Sequence, residues 1–192
     1  GSFKDITTKK LTIKKDGIVG NEVSDTIHHG GEHKAIFANS LLNYPIWEQY
    51  LQIQKLQYGA LAENLTMTNI DENTVCIGDI HQIGSVVLEV SQPREPCWKI
   101  GQKFKHKTFT KYIYDSGQTG WYYRVLQEGT FQVNDEVFLI KQGNQEFSIL
   151  QANNILHNIN NNKLLANKLV KLDILGEPFR KSLKKKMEKK DD

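Results

Sequence analysis

Three short stretches of this sequence gather side chains that could do chemistry. In His28-His29-Gly30-Gly31-Glu32-His33-Lys34, adjacent glycines permit backbone paths that present amide groups, with histidines and a lysine alongside. That composition suits an oxyanion, and a plain Gly-Gly turn carrying exposed histidines has the same pattern. A metal set is poorly supported there: His29 and His33 are four apart, Gly30-Gly31 argues against a helix, and no carboxylate spacing completes a site. The second stretch is Ala62-Glu63-Asn64-Leu65, followed later by Ile77-Gly78-Asp79. Asn64 offers a donor and an acceptor to a polar ligand, while Asp79 equally suits a turn cap. The third is Ser91-Gln92-Pro93-Arg94-Glu95-Pro96-Cys97-Trp98-Lys99, where two prolines stiffen the path to a cysteine and Arg94 and Lys99 supply positive potential. A cysteine acts as nucleophile or metal ligand in its thiolate form, so Cys97 is a candidate nucleophile or sulfur carrier. Cys76, between Val75 and Ile77 with no cation nearby, reads as an inert packing residue.

The elements that must hold these residues are mostly strands. From about 10 to 145 short runs are punctuated by glycine. Val86, Leu88 and Val90 alternate with Val87, Glu89 and Ser91, and Gly84-Ser85 just before them predicts a two-residue hairpin turn after Ile83. A second pair is expected from Gly120 to Leu126 and from Glu136 to Ile140, with Glu128-Gly129 and Asn134-Asp135 as turn formers. One helix interrupts them, opening at Pro45 with Ile46, Trp47, Tyr50, Leu51 and Gln54 along its stripe. From 146 the spacing turns helical: Ile149, Ala152 and Leu156, then Leu165, Leu169 and Leu172, then Phe179, Leu183 and Met187. Asn158 and Asn160 to Asn162 separate the first two of these, and Gly176 and Pro178 the last two. The expected fold is therefore mainly β, a barrel over 1–145 with a packing helix, followed by a small three-helix C-terminal subdomain over 146–192.

At 192 residues the chain can bury a core without covalent staples, and two cysteines are too few for a disulfide framework, so a cytoplasmic setting is expected. No apolar run approaches the roughly 18 residues that span a bilayer, so no membrane association is expected. Gly1-Ser2 resembles a cloning remnant. The formal charge of +3 is misleading, because residues 180–190 hold seven Lys or Arg and one acid, leaving the remainder slightly acidic. A specific nucleic-acid surface is not expected, and the basic run reads as a solvated helix face or a frayed end. Phosphate loops ending in Lys-Ser/Thr, His-Glu-x-x-His and Cys-x-x-Cys are all missing from the sequence.

Taken in order, the three stretches resemble the MOSC domain, the family related to the carboxy-terminal domain of molybdenum cofactor sulfurase, and within it the bacterial hydroxylaminopurine-resistance type. The resemblance is carried by His29-Gly30-Gly31 with Lys34-Ala35, by Glu63-Asn64-Leu65, by Gly78-Asp79, and above all by Ser91-Gln92-Pro93-Arg94 with Pro96-Cys97. Gly117 with Thr119-Gly120-Trp121-Tyr122 is similar to a later motif, and the helical tail to one found in this subgroup. The resemblance implies a β-barrel that binds molybdenum cofactor (molybdopterin), with Cys97 as metal ligand or persulfide site and His29, Gly30, Gly31, Lys34, Asn64 and Arg94 around an anionic ligand. Two positions depart from the pattern: Ala62 stands where a glycine usually precedes Glu-Asn, and His33 where an acidic residue is common.

The function so implied is a molybdenum-cofactor-dependent oxidoreductase, reducing N-hydroxylated bases or related small molecules and thereby detoxifying them. The sequence carries no flavin, iron-sulfur or nicotinamide signature, so such a reductase would draw electrons from a separate reductase partner. Pyridoxal phosphate is not among the expected ligands. The alternatives are a non-catalytic carrier of the cofactor or its sulfur, and a barrel retained for protein interaction.

Overall fold

The computed structural model describes residues 10–20 and 31–189. The chain opens with β1 (Leu11–Lys14) and β2 (Gly17–Ile18), then β3 (Ile36–Ser40), α1 (Tyr44–Leu51) and β4 (Leu65–Met67). A hairpin of β5 (Ile80–Ile83) and β6 (Val86–Pro93) precedes α2 (Lys99–Lys103) and α3 (Phe109–Ser116). Then come β7 (Trp121–Gln127), β8 (Gly129–Phe131), β9 (Val137–Lys141), α4 (Ile149–His157), α5 (Lys163–Leu169) and α6 (Glu177–Glu188).

Six strands form a mixed sheet in the order β4-β3-β7-β6-β5-β9, curled into a half-barrel, and β2-β1-β8 form a smaller antiparallel sheet. The β5–β6 hairpin turns at Gly84-Ser85, pairing Ile83 with Val86 and His81 with Leu88, as the alternation predicts. The second expected pair does not form. β7 lies between β3 and β6, while β9 pairs with β5 at the sheet edge. Apolar runs alone do not choose partners; burial does, and Trp121, Tyr122 and Tyr123 are buried in succession as a central strand requires.

Helices α4, α5 and α6 follow the predicted spacing, except that α5 ends at Leu169, short of Leu172. Their Ala152, Leu156, Leu169, Phe179 and Leu183 join Ile36, Val90 and Trp121 in one apolar core with the sheet. A second core gathers Tyr44 and Trp47 of α1, Leu56, Leu61, Ile100 of α2, and Phe109 and Ile113 of α3. The sequence predicts only α1 of this group. Phe109 and Ile113 make a single i,i+4 step among threonine, lysine and tyrosine, too short a pattern to stand out from the surrounding short runs.

Candidate functional site

The sulfur-bearing stretch leaves the sheet at the end of β6, where Pro93 pairs with Trp121. Arg94 is held just beyond by its backbone N–H, which donates to the Gly120 carbonyl at 3.0 Å. Gly120 must be glycine: its φ is +74°, and a Cβ there would sit 2.4 Å from the Ala38 carbonyl oxygen. Its own N–H donates at 2.7 Å to Glu72, a buried carboxylate that also accepts from the Asn43 amide at 3.0 and 3.1 Å. Burial pushes the Glu72 carboxyl up, and the Asn43 and Gly120 donors counteract it. Glu72, Gly120 and Arg94 thus form a backbone-anchored chain from the interior to the site.

The Arg94 side chain is 5% exposed, its guanidinium 5.1 Å from the centre of the Phe37 ring, and its Nη1 has no hydrogen-bond partner among the described residues. Burial works against its charge, partly offset by Tyr122, Cys97 and Glu63. A buried cation without a full set of acceptors carries a solvation cost that an anionic ligand would relieve. Lys34 lies nearby, its Nζ 5.6 Å from the centre of the Tyr122 ring. Its pKa too is pulled down by burial, raised by Glu95 and lowered by Arg94. Ser91 fastens the turn bearing Lys34, since its hydroxyl lies 2.6 Å from the His33 carbonyl oxygen and 3.0 Å from that of Tyr122.

Lys34 and Arg94 thus both meet Tyr122, and Cys97 lies within electrostatic reach of Arg94 and Tyr122. Cys97 is half-buried, whereas Cys76 is buried and its thiol pushed up by burial and then by Asp79. Asn64 adjoins the group but spends its side-chain oxygen on the Phe37 N–H at 2.9 Å, while its own N–H donates to the Phe37 carbonyl at 2.7 Å. Gly31 opens the turn at φ +88°. His29 and Gly30 lie outside the described residues. Asp79 takes the turn-capping role, accepting from Cys76 N–H at 2.8 Å and Gly143 N–H at 2.7 Å.

Several contributors owe their roles to pairing between segments distant in the sequence. Phe37 and Tyr122 frame Arg94 only because β3 and β7 pair, and Glu72 reaches Gly120 across 48 positions. Glu63, quoted above as a motif residue, is buried, accepts from Tyr44 Oη and the Leu61 N–H, and lies within electrostatic reach of Arg94 and Lys103. Among the described residues no three His, Cys, Asp or Glu side chains converge as a metal site.

Residues 25–138 match the model of the MOSC domain, more than half of the chain. The chain belongs to the MOSC domain family. Its sequence is 32% identical to YflK of Bacillus subtilis over 189 residues, 98% of this chain and 85% of that one. It is 34% identical over 143 residues to a reductase of Gibberella moniliformis, covering 73% of this chain but only 25% of that protein. The MOSC fold aligns with the crystal structure of YiiM from Geobacillus stearothermophilus at a TM-score of 0.83 and 29% identity, over 94% of this chain and 86% of that one. The motifs from Asn64 to Tyr122 lie inside the MOSC match, and helices α4 to α6 lie beyond it.

Proposed function

We propose that this MOSC protein binds molybdenum cofactor against Arg94, Lys34 and Cys97 and uses it to reduce N-hydroxylated bases or related compounds. The carrying observation is the buried Arg94 guanidinium with an unpartnered Nη1, beside a second cation and a half-buried thiol. The residues fit the group: a pterin phosphate and dithiolene are anionic, and a metal that brings its own dithiolene sulfurs needs one thiolate from the protein, not a cluster. When bound, the cofactor supplies a two-electron redox centre. Arg94 and Lys34 hold the anionic groups, Cys97 serves as metal ligand or persulfide site, and Gly31 lets the backbone approach. Reduction of an N–OH group consumes two electrons and two protons and releases water, and the electrons come from a separate donor protein. Trp98, 63% exposed and next to Cys97, offers an aromatic face for a flat base.

Protein purified from a cofactor-making host should carry close to one molybdenum and one pterin per chain. Arg94→Ala removes a charge-assisted hydrogen bond of about 1.5–3 kcal/mol, so the affinity of the apoprotein for cofactor should fall by about one to two decades. Arg94→Lys should restore part of it, because lysine returns the charge without the planar fork. Equal affinities for all three proteins remove Arg94 from the site, and wild-type protein free of molybdenum and pterin refutes the proposal.

A further inference from the structure

β9 is the most exposed strand of the large sheet. Val137, Phe138, Leu139 and Ile140 are 38%, 55%, 48% and 52% exposed, and among the described residues no other strand pairs with their free edge. Side chains of neighbouring residues point to opposite faces, so both faces of this strand are open as well as its edge. A long apolar edge of this kind is a template for strand pairing. We infer that β9 pairs antiparallel with β9 of a second copy of this chain, joining the two half-barrels through one continuous sheet.

Register and charge select that occupant. The two-residue turn at Gly84-Ser85 makes Ile83 and Val86 exchange their hydrogen bonds within the hairpin, so Gln82 directs its backbone groups the other way, toward Phe138. Alternation then aims the N–H and C=O groups of Val137 and Leu139 at the open side. With a two-fold axis at Phe138, each Val137 faces Leu139 of the other copy. Four backbone hydrogen bonds form, and the two Phe138 rings meet at a close non-hydrogen-bonded position. The strand is acidic where it begins, at Asp135 and Glu136, and basic where it ends, at Lys141. Glu136 and Lys141 make no ion pair among the described residues. Antiparallel pairing brings the acidic end of each strand to the basic end of the other, whereas parallel alignment sets like charges together. This self-complementarity is what an isologous interface requires.

Sedimentation equilibrium on the full chain should show a reversible dimer. Phe138→Lys places two ammonium groups at the axis and removes an aromatic pair, raising the dimer dissociation constant about tenfold or more. Leu139→Pro deletes an outward N–H while leaving the hydrogen bonds to β5 in place, and should weaken the dimer similarly. Far-UV circular dichroism verifies that each variant folds. Register is read by cross-linking: Phe138→Cys should oxidise to a covalent dimer through its own position, identified by mass spectrometry, while Leu139→Cys should not. A monomer at every concentration overturns the inference. So does a dimer indifferent to both Phe138→Lys and Leu139→Pro, or a β9 edge found occupied by another chain instead.

Discussion

His33 and Arg124 show how a single departure from a family pattern is accommodated. Arg124 Nη2 donates to His33 Nδ1 at 2.6 Å, and Nη1 pairs with Glu89 at 2.5 Å, so the imidazole must be a neutral acceptor. Burial and then Arg124 push the His33 pKa below its usual 6.5. His81 is lowered by burial, and His157 by burial and then Lys186, to about 4. Because the unfolded chain takes up protons on these histidines at a higher pH than the folded one, stability is fully present above about 6.5 and declines as the pH falls toward about 4. His33→Gln keeps a neutral acceptor and should flatten part of that decline in urea midpoints measured between pH 7.5 and 4.5. The cysteines make a second prediction at this scale. A thiol-alkylating reagent should label Cys97 in the folded protein and leave Cys76 unmodified until the chain unfolds, since Cys76 is buried and its thiolate is disfavoured. Arg94, Lys34 and Cys97 were legible from residue type and local order. Tyr122 was legible only as a motif residue and Glu72 not at all, because their roles arise only when distant strands pair.

At the scale of elements, legibility followed turn chemistry. Gly84-Ser85 announced the β5–β6 hairpin, and Gly176 with Pro178 announced the start of α6. Helices α2 and α3 went unseen because each buries few residues, and their core comes from α1 and the 56–61 segment. The departure at Ala62 has a structural counterpart: its φ is +71°, a left-handed conformation that suits glycine. Ala62→Gly should therefore raise stability by about 0.5–1 kcal/mol in chemical denaturation, the strain relieved outweighing the added freedom of the unfolded chain. Gly120→Ala makes the opposite case. Its Cβ would meet backbone of β3 rather than a flexible side chain, 2.4 Å from the Ala38 carbonyl oxygen, so β7 must shift away from β3. A loss of about 2–5 kcal/mol is expected, from left-handed strain and overpacking together. The same shift displaces the carbonyl that holds Arg94, so the binding of molybdenum cofactor proposed above should weaken in molecules that remain folded.

For the whole molecule, the helical C-terminal segment and the sheet share one hydrophobic core. Phe179 and Leu183 of α6 are completely buried in the same cluster as Ile36, Leu88 and Trp121. Arg180 fixes the preceding loop, its Nη2 donating to the Leu172 and Leu175 carbonyls at 2.8 and 3.0 Å, and Ser182 reaches Glu95 beside the candidate site at 2.8 Å. The basic run first read as a solvated face is thus amphipathic: Lys181, Lys184 and Lys185 face solvent, while Leu183 anchors the helix. Leu183→Ala should cost about 2–5 kcal/mol, the range for opening a cavity in a packed core. Because the core is continuous, that loss should register throughout the fold rather than in the helices alone. Urea unfolding followed by far-UV circular dichroism and by fluorescence of Trp121, buried in that same core, should shift to a lower midpoint with the two transitions still coincident. If the helical signal melts first while tryptophan fluorescence keeps the wild-type midpoint, the helices and the sheet are separate cooperative units. In that case the contact between Ser182 and Glu95 cannot couple α6 to the site.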